Sequence, residues 1–267
     1  MILITGSNGY IGSAFAEGCD RTGLEWKPLR YQDIDFFTGF SHDVELVINC
    51  AAFIPKPSVS LCDRFPSETI RGNVLIPSRL TYLCSEMHIP IAHISTGYLW
   101  NDDIEHTEDD PPQRAFNGYC GFYIGTKVIA EEEVRKYERH FIWRLSLAFD
   151  DRDNDRNYLS KLATFNEVFD RDNCVSHRMD FVRSCLDLWR INAQFGTYNV
   201  MNPGSIRATK IVDLLRRAGI RSTDPRVLIG GHDNSKASVK KLIDAGISIR
   251  SSEEAIADSI KNWKPKT

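Results

Sequence analysis

Met1-Ile-Leu-Ile-Thr-Gly-Ser-Asn-Gly-Tyr-Ile-Gly12 opens the chain and decides how the rest is read. Ile2, Leu3 and Ile4 form a short apolar run of buried-strand type. Thr5 to Gly12 is a TGxxGxxG turn, and Ser13–Arg21 has the pattern of a helix. Strand, glycine turn and helix in that order make a cradle for a pyrophosphate. Gly6 allows the tight turn, Gly9 lets the backbone approach a ligand, and Gly12 lets the helix pack against the strand. The helix N-terminus then offers free N–H groups and the positive end of its dipole. Ser7, Asn8, Tyr10 and Ile11 complete the turn and are expected to line the dinucleotide. A glycine pattern alone is weak, but one placed behind a strand and before a helix has the context the fingerprint requires.

The next segments extend this into an α/β domain. Leu24–Arg30 reads as a second strand. It ends on Arg30, where NAD-binding proteins usually carry an acidic residue for the ribose hydroxyls. A guanidinium there suits a 2′-phosphate, so NADPH is the expected cofactor, with NADH as the alternative. Asp33 and Ile34, just beyond, are assigned to the cofactor as well. Leu46–Ile48 is a continuous apolar strand ending on Asn49-Cys50-Ala51-Ala52-Phe53. The small residues Cys50, Ala51 and Ala52 allow close passage of a cofactor. A helix over roughly 68–87 carries Asn73 near its start, also placed on the cofactor side. Ile89–Ser95 is another buried strand and delivers Ser95-Thr96-Gly97-Tyr98 at its carboxyl end, where doubly wound sheets bind ligands. The polar stretch Asn101–Pro112 reads as a loop.

Tyr123-Ile-Gly-Thr-Lys127 opens a further helix running through Tyr137. Residues i and i+4 share a helical face, so the Lys127 ammonium can sit beside the Tyr123 hydroxyl and stabilise its phenolate. A phenol tuned in this way is a general acid for a carbonyl oxygen that receives a hydride at its carbon. Phe141–Leu147 reads as a strand passing Arg144, and the charged run Asp150–Asn157 marks a domain end. Helices are expected near 158–164, 181–192, 210–218 and 252–263, and a strand near 197–200. The fold class is therefore a Rossmann-type doubly wound parallel sheet with a smaller C-terminal substrate-binding lobe. Residues 1–149 form the nucleotide-binding domain and 150–267 mainly the lobe, with the 197–200 strand returning to the first domain.

Composition narrows the function classes. The 267 residues carry a net charge of −3 and are 42% hydrophobic and 26% charged, ordinary for a soluble globular chain. A pI near 6.2 gives no electrostatic footprint for nucleic acid or an anionic membrane. No apolar run approaches a membrane span, and a start on a core strand leaves no signal peptide to expect. Seven cysteines without CxxC or Cys/His spacing fit reduced thiols, hence a cytoplasmic setting and no metal site. His93, within its strand, and His177 read as structural.

TGxxGxxG, Asn-Cys-Ala-Ala, Ser-Thr and YxxxK in this order resemble the extended short-chain dehydrogenase/reductase superfamily. Within it the chain resembles the 4-dehydrorhamnose reductases, most of all the bifunctional 3,5-epimerase/4-reductases of nucleotide-L-rhamnose synthesis. Pro57–Cys62, Glu68–Asn73, Arg156–Lys161 and Tyr198–Gly204 continue the similarity. The resemblance implies NADPH-dependent reduction of the C4 ketone of a UDP- or dTDP-linked 4-keto-6-deoxyhexose. It makes Tyr123 the proton donor, Thr96 a hydrogen-bond partner of the carbonyl or the tyrosine, and Lys127 the holder of the nicotinamide ribose. Phe53, Tyr98, Arg144, Asn157, Lys161 and Asn202 become nucleotide-sugar contacts. In the bifunctional enzymes a cysteine follows Ser/Thr-Thr-Gly and pairs with a lysine for epimerisation. Here Tyr98 holds the cysteine's place while Lys161 matches the lysine, so Tyr98 and Lys161 are the groups on which epimerase activity turns. A nucleotide-sugar 4-epimerase and a non-catalytic regulatory subunit are the alternatives, and a homodimer follows from the fold's habits.

Overall fold

The computed structural model describes residues 1–30, 34, 39–56, 58–229 and 234–266. Strand β1 (Ile2–Thr5) is buried along its whole length, so it runs Ile-Leu-Ile without polar alternation before ending on Thr5. β2 (Trp26–Leu29) pairs in parallel on one side of it, and β3 (Leu46–Asn49) on the other. β4 (Ile91–Thr96), β5 (His140–Leu145) and β6 (Gly196–Asn199) complete a six-stranded sheet in the order β6-β5-β4-β3-β1-β2. The chain reverses its direction of travel across the sheet at β1. The crevice beyond the carboxyl ends of β1 and β3 is therefore the switch point at which such sheets take ligands.

Helix α1 (Gly12–Thr22) follows the glycine turn and stops at Gly23, whose positive φ of 67° closes the last turn. The single helix expected over 68–87 is three pieces: α2 (Pro66–Ile70), a π-helical turn (Arg71–Leu75) and α3 (Ile76–Glu86). Pro77 is the reason. It has no N–H for a helical bond to the residue four before it, and its ring crowds that carbonyl, so the preceding turn widens. Helix α4 (Gly121–Arg135) carries the YxxxK pair. Leu3, Val47, Leu80, Ile91, Val134 and Ile142 form one buried cluster, which ties sheet, α3 and α4 together. Phe15, Trp143 and Phe141 stack in series, with centroids 6.0 and 5.5 Å apart.

The chain divides into two compact units. The first comprises residues 1–96, 112–144 and 189–198; the second comprises 97–111, 145–188 and 199–267. Against the expected division at residue 149, the second unit claims 97–111 from within the first. The first reclaims 189–198 because β6 hydrogen-bonds at the sheet's edge. The second unit has its own core of Phe149, Leu159, Val175, Ile211 and Ile256. Its helices include Tyr158–Thr164, Ala208–Arg217 and Ser252–Lys261, the last with a Ser251/Glu254 capping box. Two-residue strands such as Ala148–Phe149 with Ser176–His177, and the helix Lys240–Asp244, are too short to leave a periodic signal in sequence. Among the described residues no helix is long and apolar enough to cross a membrane.

Leu80 is fully buried in the first unit's cluster. Leu80→Ala is expected to destabilise the protein by about 2–5 kcal/mol through lost transfer energy and a residual cavity, read as a lower urea midpoint at unchanged slope.

Candidate active site

The glycine turn is packed to the limit of what a backbone allows. Gly6 has φ +62°, and a Cβ on it would lie 3.0 Å from the Ala51 backbone. A Cβ on Gly12 would overlap the Gly6 carbonyl. The Gly9 N–H donates to Gly6 O at 2.8 Å, which folds the turn back on itself. No side chain caps α1, so its N-terminus stays available to an anion. Asn8 and Gly9 are exposed, and Ser7, Tyr10 and Ile11 are half-buried.

The loop after β3 is braced from behind. Asn73 is fully buried on the π turn. Its Oδ1 accepts from Phe53 N at 2.7 Å, and its Nδ2 donates to Phe53 O at 3.3 Å and to Thr126 Oγ1 at 3.4 Å. Asn73 thus shapes the loop after β3 with both ends of its amide. Cys50, Ala51, Ala52 and Phe53 remain partly exposed in front of it. Arg30 is exposed just past β2, whereas Asp33 lies outside the described residues. Ile34 is wholly buried against Leu3, Leu29 and Phe40, so its side chain serves the core and presents no surface to a nucleotide.

Thr96 ends β4, and Tyr123, half-buried, stands in the first turn of α4. Lys127 is almost completely buried, and its Nζ donates to Ile94 O at 2.6 Å and meets His93 Nε2 at 3.0 Å. Its amine thus bonds to β4, a partnership that the i,i+4 argument did not anticipate. Burial pulls the Lys127 pKa down to about 8, with the Glu131 carboxylate acting in the opposite direction. Burial pushes Glu131 up, but the Arg144 fork and Arg135 outweigh it and keep the carboxylate ionised. Burial, then the Lys127 charge, hold His93 well below the usual histidine range. His93 is the residue that sequence reasoning set aside. Its one signal was an ionisable group inside the apolar run Ile91-Ala-His-Ile.

Three expected substrate contacts have their polar groups engaged within the fold. Arg144 is buried, with Nε and Nη2 on the Glu131 carboxylate at 3.0 and 2.7 Å. Asn157 is fully buried and caps the helix Tyr158–Thr164 with its Oδ1. Its Nδ2 donates to Asp150 O and Oδ1 and to Arg152 O. Asn202 accepts from His177 N at 2.6 Å and donates to Asp180 Oδ2 and Arg250 O, both at 3.0 Å. Both ends of each asparagine amide, like the guanidinium edge of Arg144, are spent inside the fold.

In the second unit, half-buried Tyr98 accepts a hydrogen bond from Arg171 Nη1 at 2.7 Å. The Arg171 guanidinium also lies over Phe169, 4.5 Å from its centroid. Arg171 carried no motif and went unnoticed in sequence. Lys161 is half-buried, and burial, then the charge of Arg156, lower its pKa. A lowered pKa favours the neutral amine, the form able to accept a proton.

Comparison with known proteins places this geometry in a family. Residues 1–181 match the model described as RmlD substrate binding domain. A bifunctional dTDP-4-dehydrorhamnose 3,5-epimerase/dTDP-4-dehydrorhamnose reductase of Arabidopsis thaliana is 28% identical over 227 residues, covering 80% of this chain and 74% of the relative. A trifunctional UDP-glucose 4,6-dehydratase/UDP-4-keto-6-deoxy-D-glucose 3,5-epimerase/UDP-4-keto-L-rhamnose reductase of the same plant is 27% identical, covering 80% of this chain. The match takes in 33% of that relative, so this chain spans about a third of its length. In structure, the UDP-rhamnose synthase of Acanthamoeba polyphaga mimivirus superposes with a TM-score of 0.84 over 98% of both chains at 15% identity. With more than half its residues covered by the family model, on a six-stranded sheet, this chain belongs to the RmlD substrate binding domain family.

Proposed function

We propose that this protein reduces the C4 ketone of a nucleotide-linked 4-keto-6-deoxyhexose with NADPH. The observation that carries the reading is that one unit holds both the Gly6–Gly12 cradle and the Thr96, Tyr123 and Lys127 groups. The residues present fit the cofactor: the turn is closed so tightly that no Cβ is tolerated at Gly6 or Gly12, and the α1 N-terminus behind it has no side-chain cap and stays open to a pyrophosphate. Gly6 to Gly12 would hold its pyrophosphate, Arg30 its 2′-phosphate, Cys50–Phe53 its adenosine side and Lys127 its nicotinamide ribose. When bound, NADPH supplies the hydride to the carbonyl carbon.

The chain's own groups manage the oxygen. Thr96 Oγ1 donates a hydrogen bond to the carbonyl, and Tyr123 Oη transfers its proton to the alkoxide as that charge grows. The phenolate left behind is stabilised by the charged Lys127 amine and regains a proton from solvent. Ketone, hydride and proton give the secondary alcohol.

A second reading adds 3,5-epimerisation, favoured by the lowered pKa of Lys161. In this reading the Lys161 amine takes the proton next to the ketone and Tyr98, hydrogen-bonded by Arg171, is the group on the other face. The working setting is a cytoplasmic homodimer. Exposed Ile70, Leu75 and Tyr82 on the α2–α3 run are the apolar surface a second copy would cover.

The direct test is incubation with NADPH and UDP- or dTDP-4-keto-6-deoxyglucose in D2O, with NMR of the sugar. Product formation supports the reductase, and no cofactor oxidation with either sugar overturns it. Deuterium at C3 and C5 would mark epimerisation, and its absence would remove Tyr98 and Lys161 from that role. Tyr123→Phe should bind cofactor normally and lose roughly 10²–10⁴-fold in turnover. Arg30→Ala should weaken NADPH about tenfold by fluorescence titration and leave NADH nearly unchanged. Because the Lys127 ammonium stabilises the phenolate, kcat/KM should fall as pH rises through about 8.

A further inference from the structure

Lys127 is the end of a buried polar thread that crosses three strands. Its Nζ meets His93 Nε2 at 3.0 Å; His93 Nδ1 meets Asn49 Nδ2 at 3.0 Å. Asn49 Oδ1 lies 2.6 Å from Thr5 Oγ1, which accepts from Ala51 N at 3.1 Å. Thr5, Asn49 and His93 are fully buried and Lys127 is 3% exposed, so the thread is closed to bulk water. It runs from α4 through β4 and β3 to β1, and it ends at the loop against which Gly6 packs.

Two directions run its hydrogen bonds head to tail, and the one that also pairs the Thr5 hydroxyl proton and the amine lone pair is the one with Lys127 neutral. With Lys127 charged, the ammonium donates to Nε2, the Nδ1–H donates to Asn49 Oδ1, and Asn49 Nδ2 donates to Thr5 Oγ1. With Lys127 neutral, the Thr5 hydroxyl donates to Asn49 Oδ1, Asn49 Nδ2 donates to His93 Nδ1, and the Nε2–H donates to the amine lone pair. In both, an Nζ–H donates to Ile94 O. The Asn49 amide in the structure is turned as in the second. A mixture would set two N–H groups or two lone pairs against each other in a dry site.

We propose that His93 is a positioning residue for Lys127, and that its tautomer, with the Asn49 amide, reverses as Lys127 gains or loses its proton. One proton is taken up in all, by the amine. The Nε2 proton passes to the amine lone pair and one proton from solvent binds Nδ1, so the imidazole keeps a single proton while the Asn49 amide turns over and the Thr5 hydroxyl swings. The other ionisable groups facing the amine do not compete. Glu131 is held ionised by Arg144 and Arg135, the Cys50 thiol is kept protonated by burial, and Tyr123 is the proton donor itself. The thread thus fixes the amine and links its charge to the Ala51 side of the cofactor cradle. This inference rests on the reading of Lys127 as the tyrosine's partner.

Long-range ¹H–¹⁵N NMR of cofactor-free protein tests it without any turnover. His93 should carry its proton on Nδ1 below a pH of about 8 and on Nε2 above it, changing in step with Lys127. One tautomer on both sides, or an imidazolium at the ordinary histidine pKa, overturns the proposal. In kinetics, His93→Leu should lower kcat roughly 10–100-fold, the loss typical of groups that orient a functional partner, with little change in KM. His93→Gln, whose amide oxygen always accepts, should recover most of kcat and move the alkaline limb upward. A folded His93→Leu with wild-type kcat and pH profile overturns the proposal. Should His93→Leu fail to fold, Asn49→Asp decides: its carboxylate holds the Nδ1–H, so Lys127 must titrate higher, and an unmoved titration is fatal. Wild-type protein without NADPH turnover would sink the reductase reading alone, since the NMR outcome stands apart from it.

Discussion

A lysine amine buried beside a parallel sheet needs partners, and the first unit is arranged around supplying them to Lys127. Removing an ammonium from water is costly unless hydrogen bonds and opposite charge replace the solvent. Ile94 O, His93 and, along the helix, the Glu131–Arg144 pair do so here. Those partners come from β4, α4 and β5, so the amine is placed only when the strands are in register. The site and the sheet are stabilised by the same contacts.

The cofactor side obeys a different constraint, that of space. Gly6, Gly12 and the Ala51 backbone approach closely enough that a single methyl group would displace one of them. Two side chains anchor the post-β3 loop: Thr5 Oγ1 accepts from Ala51 N, and Asn73 holds Phe53 N and O. The π turn where Asn73 sits is itself the helix's accommodation of Pro77. A local departure from α-helical hydrogen bonding therefore coincides with the brace of the loop after β3.

Polar residues in the same motifs divide by what their hydrogen bonds already do. Asn157 and Asn202 look like ligand contacts by motif, yet each amide is used at both ends within the second unit. Tyr98, Arg171 and Lys161 keep partial exposure in that unit. Burying a polar group without partners is expensive, so the fold saturates the residues that hold it together.

The sequence by itself determined what is local. The strand–turn–helix order at residues 2–22, the glycines where a Cβ cannot fit, the Tyr123–Lys127 spacing and most element positions follow from near neighbours, and near neighbours are what propensity and periodicity encode. The tertiary structure alone decided the partners of Lys127, the burial of Ile34, the saturation of Arg144, Asn157 and Asn202, and the pairing of Tyr98 with Arg171. Most of these join residues far apart in the chain, Asn157 with its partners two to seven positions away being the exception. His93 and Lys127 are 34 positions apart, and Thr5 and Asn49 are 44. Such pairs meet because of strand order and register, and the physical reason they escape sequence reading is that a hydrogen bond depends on position in space, which the pattern along one strand does not carry.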